Sequence, residues 1–155
     1  MELKTKITAE DHKQEILIIR TFDLPVDLLF KAYTEAELVE QWMGNKVLVL
    51  ENKSHGSYLF ETKDAQGNVL FRANGSIHNV IKNKNITRTF EMENTPFPVQ
   101  LEFLDFIYID EQTSKLEMKI IYKSIADRDA MLKLPFEKGI NMAHNRLQEI
   151  LNSLK

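Results

Sequence analysis

The run Ile86-Thr87-Arg88-Thr89-Phe90 holds the side chain with the most to say about chemistry. Side chains alternate across a strand, so if Ile86 and Phe90 face a core, Arg88 faces it with them. A buried guanidinium without a counter-charge is costly. Arg88 therefore calls for an internal carboxylate or an acidic ligand, unless a bulge turns it outward. Tyr58 and Tyr122 lie in alternating apolar runs. A buried phenol needs a hydrogen-bond partner and so tends to mark a polar spot in an apolar wall. Such groups can orient a small molecule; acid–base work would need a partner that only three-dimensional assembly supplies.

The other polar residues point away from catalysis. The 4 histidines (His12, His55, His78 and His144) show neither metal-ligand spacing nor a local carboxylate set. They read as scattered surface residues, with His144, next to the core position Ala143, at most touching the edge of a cavity. Zero cysteines exclude a thiol nucleophile, a disulfide framework and Cys-ligated zinc. No nucleophile elbow, P-loop, dinucleotide fingerprint or Ser/His/Asp pattern occurs. Glu35, Glu37 and Glu40 read as capping and solvated helix charge. No metal or cofactor is expected, and the sequence leans away from an enzyme. The net charge of −3 gives no basic footprint for nucleic acid.

The 155 residues, 43% hydrophobic and 28% charged, suit one globular domain over residues 1–155. No run approaches the roughly 18 apolar residues of a membrane span. The N-terminus lacks the apolar run of a signal peptide, so a cytoplasmic location is expected.

The elements that must position these residues read in order. Glu15 to Phe22 is a strand, ended by Asp23-Leu24-Pro25. Val26, Leu29, Phe30 and Tyr33 make a short amphipathic helix, with Pro25 at its first position. Thr34 and Glu37 form a capping box for a second short helix, whose apolar side is Leu38, Val39 and Trp42, and which Gly44 stops. Strands follow at Val47–Leu50, Gly56–Glu61, Val69–Ile81, Ile86–Met92, Val99–Ile109 and Lys115–Lys123. Gly75 marks a bulge or a close approach. Tyr58 and Phe60, Phe71 and Ile77, and Met118 and Tyr122 would face one side of this sheet. Ser124 and Asp127 open a last helical region, in which Pro135 separates a leading turn from a long helix. Its stripe runs Phe136, Ile140, Ala143, Leu147, Ile150 and Leu154. Consecutive strands with short turns and helices on one face imply an α+β fold with an antiparallel sheet of about six to seven strands. Two copies pairing at an open sheet edge would make a homodimer.

Arg20-x-Phe22, Pro25, Phe30, Ala32, Thr34 and Leu38-x-x-x-Trp42 closely resemble the opening of the AHSA1 family, activator of Hsp90 ATPase homologue 1-like proteins within the START/Bet v 1-like superfamily. His55-Gly56-Ser57-Tyr58-x-Phe60 resembles the family's Gly-Gly-x-Tyr-x-Phe strand, with His in place of the first Gly. Asp64-x-x-Gly67, Gly75-x-Ile77 and Arg146-Leu147-x-x-x-Leu151 are similar to later elements. The chain departs from the family at Met43, beside Trp42, and at Arg88, both positions where an aromatic residue is usual. The resemblance implies a helix-grip fold: a curved sheet, two small helices, and a long C-terminal helix across a ligand cavity. It places Trp42 and Met43 at the rim. With Tyr58, Phe60, Phe71, Ile77, Arg88, Phe90, Met118, Tyr122, Phe136 and Ile140 they form the expected site for a small hydrophobic or amphipathic molecule. The resemblance also implies two rivals: a chaperone as partner, and a cyclase or hydrolase reaction.

Overall fold

The computed structural model describes residues 4–155; the opening Met1-Glu2-Leu3, part of the segment read above as lacking a signal peptide, lies outside them. The elements run β1 (Lys6–Thr8), β2 (Glu15–Phe22), α1 (Val26–Thr34), α2 (Ala36–Met43), β3 (Lys46–Leu50), β4 (Gly56–Lys63), β5 (Val69–Ile81), β6 (Asn85–Met92), β7 (Gln100–Asp110), β8 (Thr113–Ile121), α3 (Ile125–Leu132) and α4 (Phe136–Asn152). The strands form one sheet in the order β1-β2-β8-β7-β6-β5-β4-β3. Every neighbouring pair is antiparallel. This curved open sheet with a long C-terminal helix is the α+β helix-grip architecture. The strand number is eight among the described residues rather than six or seven. The addition is β1, whose three residues are too few to show a period of two.

The alternation that made β2 and β8 legible also builds the core. Ile16, Ile18, Arg20 and Phe22 are buried on β2, and Leu116, Met118 and Ile120 on β8. The register pairs Ile18 with Met118 and Ile16 with Ile120, so the first long strand and the last share one apolar row. Gly75 is a close approach. A methyl there would collide with the Thr89 carbonyl oxygen and the Tyr58 ring.

Three local expectations are corrected. The Thr34–Glu37 capping box does not form: Thr34 stays in the last turn of α1, where its hydroxyl donates to the Phe30 carbonyl at 3.0 Å. Glu35, in extended backbone, is the N-cap of α2 without a side-chain cap. Pro25 is likewise the N-cap of α1 rather than its first residue. Glu40 is no mere solvated charge, since its carboxylate accepts from the Val47 backbone N–H at 2.8 Å and braces the entry to β3. Gly44 ends α2 in the left-handed region, as a helix-stopping glycine does.

Ser124 caps α3 by accepting from the Asp127 N–H at 3.0 Å. The leading turn is thus a helix of eight residues. Pro135 is the N-cap of α4, whose 17 residues span about 26 Å. Leu154 falls beyond α4 and is exposed, so it leaves the stripe. Among the described residues no helix is long and apolar enough to cross a membrane.

Candidate functional site

A cavity of about 570 Å³ lies between the sheet and α4. Its walls come from every layer: Tyr33 on α1, Trp42 and Met43 on α2, Phe71 on β5, Phe90 and Met92 on β6, Met118 and Ile120 on β8, and Phe136, Ile140 and Ala143 on α4. Met131, Leu134, Pro135 and Gly139 complete the wall around the α3–α4 joint. Leu134, Pro135 and Gly139 are exposed, which puts an opening at this joint. The lining is overwhelmingly apolar, as small-molecule sites usually are.

One wall is polar. Arg88 and Glu102 are register partners on β6 and β7, and both are buried, at 8% and 3% exposure. Arg88 Nε donates to Glu102 Oε1 at 3.0 Å. Gln100, two residues along the same face of β7, donates from Nε2 to Glu102 Oε2 at 2.8 Å. The Arg88 guanidinium carbon sits 5.0 Å from the centroid of the Tyr58 ring, a cation–π distance. Tyr58 reaches across side-chain-free Gly75, its register partner, and its hydroxyl donates to the Thr89 carbonyl. Burial pushes the phenols of Tyr33, Tyr58 and Tyr122 above the usual tyrosine range, so they stay neutral.

A second polar group lines the cavity from the helix side. His144 is buried, its ring edge-on to Phe22 at 5.5 Å. Its Nδ1 lies 2.7 Å from Thr5 Oγ1. Arg20, also buried, donates from Nη1 to Thr5 Oγ1 at 3.2 Å and from Nη2 to Asn145 Oδ1 at 2.9 Å. Thr5 Oγ1 thus joins Arg20 to His144, accepting from the guanidinium and sharing a hydrogen bond with the ring nitrogen. Burial, helped by the Arg20 charge, pushes the His144 pKa down to about 3, so the ring is neutral.

Eight of the twelve residues nominated from sequence line the cavity: Trp42, Met43, Phe71, Arg88, Phe90, Met118, Phe136 and Ile140. The other four do not. Tyr58 lies under the Arg88 guanidinium, and Phe60 stacks on Tyr58 at 5.0 Å between ring centroids. Ile77 is core filling. Tyr122, just past the end of β8, is buried with its hydroxyl lacking a hydrogen-bond partner among the described residues. Trp42 is plug and wall at once, since its indole N–H donates to the Ala32 carbonyl at 2.7 Å while the ring lines the cavity. His144 is corrected from surface histidine to buried wall. The internal carboxylate that Arg88 calls for is Glu102, which the sequence reading leaves unassigned. Period two along Gln100, Glu102, Leu104 and Phe106 would have found it, because Leu104 and Phe106 face the core.

The solved structure of a protein from Rhodobacter sphaeroides superposes with a TM-score of 0.85 at 16% identity, covering 98% of this chain and 100% of that one. One from Mycobacterium smegmatis gives 0.83 at 17%, over 97% of both chains. A third, from Staphylococcus epidermidis, gives 0.79 at 21%, over 96% of this chain and 95% of that one. Identities this low establish the fold alone. No curated protein matches the chain in sequence. The family model for activator of Hsp90 ATPase homolog 1-like protein, however, matches residues 23–152, from the end of β2 to the end of α4. That span contains all but the first strands of the sheet and the whole cavity lining, and so the chain belongs to the AHSA1 family.

Proposed function

We propose that the protein binds a small amphipathic molecule in the cavity between its sheet and α4. The observation that carries this reading is the space itself, about 570 Å³ of mostly apolar void with a single buried ion pair in its sheet wall. Ligand pockets usually occupy about 300–1,000 Å³ and combine an apolar lining with a few placed polar groups. The apolar body of the ligand lies along Phe71, Phe90, Met118, Phe136 and Ile140, and its polar end meets Arg88. Met43 and Met92 let the wall repack around different shapes, since thioethers adapt easily.

The rival reading as a protein-interaction module calls for a filled interior and an exposed apolar patch or a coherent charge face. The unfilled interior favours the ligand instead. Exposed apolar side chains fall on separate elements, such as Leu48 on β3, Leu70 on β5 and Ile109 on β7. Binding is also better supported than turnover, because Tyr58 and Arg88 are held by Thr89 and Glu102.

Native mass spectrometry of the protein isolated from its own host tests the proposal. A reproducible mass excess that vanishes on denaturation is the expected result. A bare chain there, together with no thermal shift from any neutral or anionic amphiphile, would sink it.

A further inference from the structure

The polar wall is rich in hydrogen-bond donors, yet its formal charges cancel. Arg88 carries five N–H groups. Among the described residues only Nε has a hydrogen-bond acceptor, so the four protons on the two terminal nitrogens remain for a ligand. The Tyr33 hydroxyl, on the facing element α1, also has no hydrogen-bond partner among the described residues. Both oxygens of Glu102, by comparison, already accept a hydrogen bond, one from Arg88 and the other from Gln100.

This arrangement discriminates by charge. A ligand carboxylate on the Arg88 terminal nitrogens would be the second anion beside one cation, with Glu102 already bonded to the guanidinium and mostly apolar walls around the pair. A neutral carbonyl oxygen accepts the same N–H groups and leaves the site uncharged. Resting on the ligand-binding reading above, we propose that the cavity selects an amphiphile headed by an uncharged carbonyl oxygen (ketone, ester or amide) over the matching carboxylate, and that Glu102 sets this preference.

Methyl nonyl ketone and decanoate make the test, because they share chain and carbonyl and differ in a methyl against an ionised oxygen. Trp42 is the chain's one tryptophan and lines the cavity, so its fluorescence reports occupancy directly. At neutral pH the wild-type protein is expected to bind the ketone at least about tenfold more tightly. Glu102→Gln keeps an acceptor for Arg88 Nε while removing the competing charge, and is expected to level or reverse the ranking by strengthening decanoate. Decanoate equal to or tighter than the ketone in the wild type would overturn the inference while leaving the ligand cavity standing. Failure of both probes to bind would overturn the inference, while the ligand cavity itself stands or falls on the native mass spectrometry above. If E102Q does not fold, R88M/E102Q replaces it: the Arg88 donors are gone, the ketone is expected to bind at least about tenfold more weakly than to the wild type, and undiminished ketone binding there would overturn the assignment to this pair.

Discussion

At the residue scale, the ion pair and the buried histidine are two different ways of holding charge inside a protein. Arg88 and Glu102 are affordable only together, because removing one partner strands the other. Arg88→Met is therefore expected to lower unfolding free energy by about 3–5 kcal/mol in urea titrations. R88M/E102Q should recover much of that loss; a double variant no more stable than the single would show that the residues do not act as a pair. His144 solves the problem by staying neutral. Its pKa falls from an ordinary 6.5 to about 3 on folding, so between those values the unfolded chain takes up a proton that the folded one refuses. The stabilisation is complete above about pH 6.5 and is lost as pH falls toward 3, at about 1.4 kcal/mol per unit. His144→Gln should flatten the melting temperature across that window relative to the wild type. Parallel profiles would contradict the assignment. The two sites also differ in how far the sequence revealed them. Arg88 declared itself because its neighbours Ile86 and Phe90 fix its face. His144 did not, since its hydroxyl partner Thr5 is 139 positions away and no local pattern encodes that contact.

At the element scale, two glycines play opposite parts. Gly75 on β5 is the gap through which Tyr58 reaches the Thr89 carbonyl, and a methyl there meets both. Gly75→Ala is expected to cost about 3 kcal/mol or more, since neither backbone nor a pinned ring can yield easily. Gly139 on α4 is the reverse: nothing lies within 4 Å of an added methyl. Gly139→Ala should stabilise the protein by about 1 kcal/mol through helix propensity, seen as a raised melting temperature. A destabilised G139A would mean that this turn is not helical in solution. Strands β2, β4, β7 and β8 were legible from sequence because one face of each is buried and the other is more exposed. The α1–α2 junction was not. A capping box is a local signal, and a single residue, Glu35, turns the chain between two helices whose docking leaves Thr34 inside α1. Tertiary packing overrode the cap, as it can when only about 1 kcal/mol is at stake.

At the scale of the whole molecule, the cavity divides α4 into an anchored half and a half that spans empty space. Leu147 and Leu151 are fully buried, and Arg146 ties the helix to α2 by donating to the Trp42 carbonyl at 3.1 Å. Ahead of His144, by contrast, no residue of α4 is buried: Phe136, Ile140 and Ala143 overlie the cavity half-covered. Apolar burial holds a helix in a protein more than propensity does, so the two halves should differ in local stability. Hydrogen exchange is expected to run at least about tenfold faster in the Phe136–Ala143 amides that have helical partners than around Leu147. A ligand that fills the cavity supplies the missing contacts where they are lacking. At a hundredfold excess over its Kd it adds about 2.7 kcal/mol to global stability, and protection should rise most in the first two turns of α4 and at the α3–α4 joint. Protection spread evenly along the helix, or confined to the sheet, would place the ligand elsewhere. The same gradient explains why the opening lies at the joint: access needs only the weakly held end to move, while the end packed on α1 and α2 keeps the sheet and helix in register.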